Sequence, residues 1–505
     1  MNLPQSFINT MRQYFDSHPE TPQGGFFESF DCDPEKGIRI NRLKISPKDD
    51  ARYLSLIQND ATDINRSSDI VSSNFVFDRI PWNASGYYMS DPVSGNDPLF
   101  HAGAFYIQEP SAMLPAQVLS AESGDYVLDM CAAPGGKATA IAEQIGQDGL
   151  LIANEISAQR AKALLRNIER FGITNTVILN ENPLNLKSAF PLFFDKILID
   201  APCSGEGMFR RDPNAIASWQ KYGPCSTSLI QEEILEYADA MLKPGGVLVY
   251  STCTFSEVEN EDMIFSFIEK HPEYRVSDMA NEIPSVKHQI TGRLPGSMRI
   301  WPHLQRGDGH FCVKLIKSKF VDGDHELSTT KTKAMSVKVS SKRLTKAQLE
   351  MRESYLSFMK DLLSEDAYHS FFERTMQEFV AFGAGFRIHN QPVEKYRQLN
   401  IVKLGLFAGD TKKTVNGLSF NPSHSLALTL GQNVIRRSRY LNMAYDDSRL
   451  VRYLKGETLF LSDEERTFLE GKGYLIVAVE GLPLGFVQNQ NGMLKNHYPQ
   501  GWRVL

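Results

Sequence analysis

The sequence predicts an α/β protein built on a doubly wound, mostly parallel sheet. Three observations carry this. Between residues 125 and 316, short apolar runs alternate with amphipathic helical stretches. One of those runs leads into a glycine-rich turn, Pro134-Gly135-Gly136, that opens a helix. After Gly383 the pattern changes to short strands and turns, which predicts a β-rich domain in the C-terminal part.

Length and composition set the frame. A chain of 505 residues, 42% of them hydrophobic, suggests about three domains with a sizeable core. No apolar run approaches the ~20 residues that span a bilayer, and residues 1–15 lack a charged-then-apolar leader. A cytoplasmic protein without a membrane partner is expected, and Asn83-Ala84-Ser85 is then a chance glycosylation match. The 6 Cys are scattered with no C-x-x-C pair, which argues against a disulfide framework or a zinc site, so no metal is expected. The net charge of −6 does not advertise nucleic-acid binding, which would have to come from local basic patches.

In chain order, 7–15 reads as a helix and 38–41 as a short strand, among loops in which Trp82, Tyr87 and Tyr88 are best taken as a small satellite core. Candidate strands of the main sheet are 125–130, 149–154, 176–180, 195–200 and 246–251. Between them lies an amphipathic helix capped by Ser157. Ala161, Leu164, Leu165, Ile168 and Phe171 share one face, Gly172 is the stop, and Arg160, Lys162, Arg166 and Arg170 form a solvated side. A second helix, 229–242, ends at Lys243-Pro244-Gly245-Gly246, a sharp return, and 298–301 with 311–316 reads as an edge hairpin. Residues 318–346 are rich in Ser, Thr and Lys and read as a linker. Helical periodicity runs over 346–380, and strands are expected at 401–407, 415–420, 474–479 and 484–487. Arg436, Arg437 and Arg439 precede Tyr440, a cluster better explained as a solvated charge run than as an RNA contact.

The turn at 131–137 is a cofactor site by its position. The dinucleotide pattern is absent, and the P-loop pattern fails at Cys131 and at Ala138. Glu155, closing the next apolar run, suits the two hydroxyls of an adenosine ribose. S-adenosylmethionine carries that ribose without a phosphate and fits best. The plainer alternative is a tight turn beside a surface Glu.

Two further strand ends carry cysteines, in Asp200-Ala201-Pro202-Cys203-Ser204-Gly205 and in Ser251-Thr252-Cys253-Thr254. A lone Cys is usually a small buried hydrophobe. Two at matching strand ends beside a methyl donor point to transfer onto a pyrimidine C5. That carbon is a poor nucleophile until a thiolate adds to the neighbouring C6. An acid at the N3 edge would stabilise the adduct, a role for which Asp200 is placed.

These motifs resemble one known family. Residues 129–137, reading DMCAAPGGK, then 200–207, reading DAPCSGEG, and 251–254, reading STCT, are similar in order and spacing to the RNA cytosine-C5 methyltransferases of the Sun/Nol/Nop group. Gln108-Glu109-Pro110-Ser111 and Arg210-Arg211-Asp212-Pro213 add to the match, which covers roughly residues 1–318. The C-terminal part resembles the branch acting on 16S rRNA, whose members end in a PUA-like domain. The resemblance implies a Rossmann-like class I methyltransferase sheet (101–318) and an N-terminal α+β RNA-binding domain (1–100). A basic linker (319–345), a helical segment (346–390) and a PUA-like RNA-binding domain (391–505) follow. It implies Cys253 as nucleophile, Cys203 as the residue aiding release, and Asp200 between donor and base. Cys131, Ala132, Ala133, Pro134, Gly135, Gly136 and Lys137 would wrap S-adenosylmethionine, with Glu155 on its ribose. Where the family has an Asp near the adenine, this chain reads Asn180-Glu181-Asn182-Pro183, so Asn182 takes the place, with Glu181 as substitute. The expected substrate is 16S rRNA or the small ribosomal subunit. The alternatives are the same chemistry on tRNA, or a non-catalytic RNA-binding or ribosome-assembly factor.

Overall fold

The computed structural model describes residues 1–59, 78–279, 283, 293–319, 345–382, 385–388, 396, 398–414 and 417–504. The linker expected at 319–345, with Lys331, Lys333, Lys338, Lys342 and Arg343, lies almost wholly outside the described residues.

A nine-stranded mixed sheet dominates. Its parallel centre runs Leu242–Thr252, Phe194–Asp200, Tyr126–Asp129, Leu150–Asn154, Thr176–Leu179. These strands are apolar on both faces because helices cover both sides. Val127, Leu151, Ile178, Leu198 and Val249 point to one face, onto the helices Leu114–Leu119, Gly136–Gln144 and Ala158–Arg170. Leu128, Ile152, Val177, Ile197 and Leu248 point to the other, onto Pro183–Ala189, Ala215–Met241 and Glu261–Lys270.

Several details differ from expectation. The helix before Lys243 spans Ala215–Met241, bent at Gly223, and Leu242–Thr252 follows at once with Pro244 to Gly246 bulged out of register. The hairpin expected at the edge is present, with His310–Lys317 as its inner strand. That strand pairs antiparallel with Leu242–Thr252, which leaves Met298–Ile300 outside it. At the opposite margin, the run expected as one strand at 401–407 splits. Ile401–Leu404 joins the main sheet beside Thr176–Leu179, and Leu406–Thr414 turns away into a four-stranded sheet. Arg170 is not solvated but buried, its guanidinium 4.0 Å over the Phe100 ring. Arg160 reaches back to donate to the Ala133 carbonyl at 2.7 Å. Arg436 and Arg439 serve structure: Arg436 donates to the Leu363 carbonyl at 2.6 Å, and buried Arg439 pairs with Asp361 and Glu470.

The N-terminal residues form a three-stranded sheet of Gly86–Met89, Lys36–Ile40 and Phe105–Ile107. Buried Arg39 ties it to the helix Gly136–Gln144, pairing with Glu143 at 2.8 Å and donating to Thr139 at 2.6 Å. The helix Gln5–Ser17 packs Phe7 and Phe15 with Phe26, Phe255 and Trp301. The C-terminal five-stranded sheet, Tyr440–Met443 to Leu459–Phe460, does not stand apart. Leu441, Leu475, Val477 and Leu484 share one core with Ile38, Tyr87, Leu99 and Phe105. Tyr53 also donates to the Glu480 carbonyl at 2.8 Å, and Tyr445 to Asp97 at 3.0 Å. Asn83 is buried, so the sequon offers no acceptor on the surface. No helix of the described residues is long and apolar enough to cross a membrane.

The shared core is testable. Leu475→Ala removes a fully buried side chain and is expected to cost ~2–5 kcal/mol in urea unfolding. Hydrogen exchange should then quicken in Gly86–Met89 as well as in the C-terminal sheet. Exchange in Gly86–Met89 that stays unchanged would mean two independent cores.

Candidate active site

Parallel strands present their carboxyl ends to one edge of the sheet, and the site is built there. Tyr126–Asp129 runs into the turn and then the helix Gly136–Gln144. Gly135 holds φ +116°, and a Cβ on it would press on Leu164 at 3.2 Å, so only glycine suits that corner. Asn167 fastens the turn by donating to the Pro134 carbonyl at 2.8 Å.

The turn forms one wall of a cleft of about 220 Å³. Cys131, Ala132, Ala133, Pro134, Gly136 and Lys137 line it together with Asp129 and Asp200, and Tyr106, Gln108 and Glu109 face them. Lys137 Nζ donates to Asp200 Oδ2 at 2.7 Å. Burial opposes the charge on Lys137, but Asp200, Asp129 and Cys253 together hold it above its ordinary value, so it is an ammonium. Burial likewise works against ionised Asp200. The Lys137 ammonium and the Ser251 hydroxyl outweigh it and hold the carboxyl below its ordinary value. Asp200 is therefore a carboxylate. Its Oδ2 is occupied by the Lys137 ammonium, the hydrogen-bond donor beside it.

The two thiols come together. The register Asp200↔Ser251 aligns the strand ends, and Cys203 Sγ lies 3.3 Å from Cys253 Sγ. The Cys203 thiol is pushed well above its ordinary value, first by its hydrogen bond to Cys253 and then by burial, so it keeps its proton. Both loops are held from below by buried Glu259. It accepts from the Ser204 N–H at 2.9 Å, from Thr227 at 2.5 Å and from Gln231 at 3.0 Å. Gly207 donates its N–H to the Cys253 carbonyl at 2.9 Å. A Cβ there would meet the carbonyls of Cys253 and Asp308 at 3.0 Å, so the two loops approach as closely as glycine permits. Asp308 receives Arg210 at 2.5 Å and also pairs with Arg211.

Other expected site residues stand further out. Glu155 is buried at the end of the next strand, its carboxylate taking the Ser157 N–H at 2.8 Å and lying 3.4 Å from Arg160. It is not among the residues that line the cleft. Asn182 is exposed and caps the helix Pro183–Ala189 through the Leu184 N–H at 2.9 Å, while Glu181 accepts from the Asn400 N–H at 2.6 Å. Both have structural uses.

Two residues to which the sequence assigned no role complete the site. His310, on the strand beside Cys253, is buried, its Nε2 3.8 Å from Asp200 and without a hydrogen-bond partner among the described residues. Burial and the Lys137 charge lower its ring to about 4, so it is neutral. Asp129 is fully buried. Neither of its oxygens has a hydrogen-bond partner of good geometry among the described residues, and the Cys131 N–H gives only weak help. Burial and then the Asp200 charge raise its carboxyl to about 7. An orphaned carboxylate on the wall of such a cleft suits a cationic ligand group, which S-adenosylmethionine has.

The sheet order, the glycine-bearing corner and this cleft define a methyltransferase that takes S-adenosylmethionine. Residues 116–316 match the family model described as 16S rRNA methyltransferase RsmB/F. Residues 3–110 match the N-terminal domain of 16S rRNA methyltransferase RsmF, and residues 440–504 match the methyltransferase RsmF PUA domain. The ribosomal RNA small subunit methyltransferase F of Shewanella loihica is 27% identical over 514 residues, 99% of this chain and 95% of that protein. That of Shewanella piezotolerans is 29% identical over 508 residues, 98% and 96%. The Salmonella paratyphi A protein of the same name is 35% identical over 324 residues, 62% of this chain and 63% of its own length. The chain is thus similar to the RsmB/F methyltransferases over residues 116–316 and to RsmF domains on both sides of that stretch.

Donor binding should depend on pH through Asp129. Below about 7 its carboxyl is protonated and cannot attract a cation, whereas above that it can. S-adenosylmethionine affinity, measured by calorimetry on the free protein, should therefore fall as pH drops through about 7. Asp129→Asn should flatten the profile. A wild-type profile already flat would remove Asp129 from the donor's reach.

Proposed function

We propose that this protein methylates cytosine C5 in 16S rRNA through a covalent Cys253–C6 adduct and works in the cytoplasm. The carrying observation is the thiol pair, 3.3 Å apart, next to the Lys137–Asp200 ion pair on the wall of the donor cleft. Transfer to a hydroxyl or an amine needs no sulfur, whereas transfer to a pyrimidine C5 does. In this reading the RNA-binding parts are residues 1–100 and 391–505, and the chemistry belongs to 101–318.

The residues divide the work by charge. S-adenosylmethionine, when bound, supplies an electrophilic methyl group. The Cys253 thiolate adds to C6, which raises electron density at C5. The Lys137 ammonium donates toward the ring's N3 and O2 edge as charge develops there, and the Asp200 carboxylate accepts from the 4-amino group. Once C5 carries the methyl group, loss of the C5 proton to a solvent water expels the thiolate and restores the ring. Cys203, keeping its proton, protonates the departing Cys253 sulfur, which lets the RNA go. The target base must leave its stack to reach the thiols.

Cys253→Ala should abolish methyl transfer and leave donor binding essentially unchanged. Cys203→Ala should instead accumulate a protein–RNA adduct that survives a denaturing gel. Normal turnover of that variant with no adduct would remove Cys203 from release. Bisulfite sequencing of RNA from cells with and without the gene should show a lost 5-methylcytosine in 16S rRNA. A loss confined to tRNA would move the chemistry to that substrate.

A further inference from the structure

A second cavity, of about 440 Å³, lies away from the donor cleft. Three parts of the chain build it. Phe100 and His101 come from the N-terminal part, Arg166 and Arg170 from the helix Ala158–Arg170, and Trp502 and Arg503 from the C-terminal end. The reaction described above uses none of them.

Its chemistry is one-sided. Arg166, Arg170 and Arg503 are among its lining residues, the Arg503 guanidinium resting against Gly456, and no carboxylate among the described residues pairs with any of the three. Arg170 is over nine-tenths buried between aromatic rings, 4.0 Å from the Phe100 centroid and 5.7 Å from that of Trp502. Its Nη1 donates to Asn167 at 3.1 Å, while its Nε has no hydrogen-bond partner among the described residues. Burial lowers its ordinarily permanent charge to about 10, the mark of a cation left without a counter-ion. His101 is equally buried. Its Nδ1 meets the Tyr498 hydroxyl at 2.6 Å, and its Nε2, with the Gly95 backbone beside it, has no hydrogen-bond partner of good geometry among the described residues. Two buried donor-bearing side chains thus face a cavity whose rim carries two exposed arginines and an indole.

We infer that this seam cavity binds a phosphate group of the RNA substrate, with Arg166, Arg170 and Arg503 on the oxygens and Trp502 beside the adjoining sugar or base. The inference rests on the proposed substrate being RNA. Guanidinium forks suit phosphate oxygens, and an aromatic face beside them suits a nucleotide rather than a protein carboxylate. Placement supports the same choice. The helix that supplies Arg166 and Arg170 also braces the cofactor turn, through Arg160 on Ala133 and Asn167 on Pro134. A strand of RNA held at this seam would therefore be registered against the same helix as the donor cleft. The N-terminal and PUA matches contribute the remaining walls.

The test uses the full-length protein and a fluorescein-labelled single-stranded RNA oligonucleotide, read by anisotropy across a salt series. The double variant Arg166→Gln/Arg503→Gln changes only exposed side chains and should fold. Its slope of log affinity against log salt should shrink by about 0.7, one phosphate contact, with affinity roughly tenfold weaker at low salt. Arg170→Lys, which keeps the charge and loses the fork, should weaken binding with the slope retained. Unchanged slope and affinity in the double variant overturn the inference. So does calorimetric binding of AMP that the variant loses while its RNA slope stays as in wild type, since that assigns the cavity to a free nucleotide. Neither measurement depends on methyl transfer. A failed C5 assignment beside a shifted slope sinks the chemistry and leaves the seam, and the converse result sinks the seam alone.

Discussion

The site depends on one piece of backbone geometry, the parallel pairing of Phe194–Asp200 with Leu242–Thr252 in register at Asp200 and Ser251. That register puts two loops side by side, each with a cysteine a few residues past its strand. It also sets the Ser251 hydroxyl on Asp200 and leaves room for Lys137 from the neighbouring helix. Glu259 then fixes the loops from beneath, so the sulfur contact is prepared by the scaffold before any substrate arrives. A shift of one residue would turn Asp200 to the opposite face and dismantle the ion pair with it.

Charge is distributed around that pairing in a way that gives each group a fixed state. Lys137 faces two carboxylates and settles on Asp200, which ionises in consequence. Asp129 is left with the penalty of burial and a like charge nearby, and its carboxyl rises. Neighbouring carboxylates driven apart in this way take different tasks. His310, crowded by the same ammonium, stays neutral and adds no charge.

Much of this was legible in the sequence because the strands at the sheet centre are buried on both faces and read as unbroken apolar runs. Cys203 and Cys253 were legible because each directly follows such a run. What escaped depends on distance along the chain or on the absence of a partner. Asp129 opens the motif at 129–137, but only the packed structure shows that its oxygens have no hydrogen-bond partner of good geometry among the described residues. A single histidine at 310 carries no pattern. Arg170 falls on the polar side of its helix by periodicity, yet Phe100 and Trp502, from far along the chain in either direction, enclose it. Asn182 filled a motif position in the sequence, and its exposed side chain turned out to be a helix cap.

The strand Ile401–Leu404 covers what would otherwise be the bare margin of the sheet at Thr176–Leu179. Its residues lie more than 80 positions beyond the last methyltransferase strand, His310–Lys317. A protein trimmed after residue 318 would keep every motif and lose the lateral seal, exposing unpaired amide and carbonyl groups to neighbouring molecules. The catalytic portion is thus not a detachable module. Its solubility is underwritten by a segment from the far side of the linker, and any attempt to graft or shorten this enzyme has to carry that segment along.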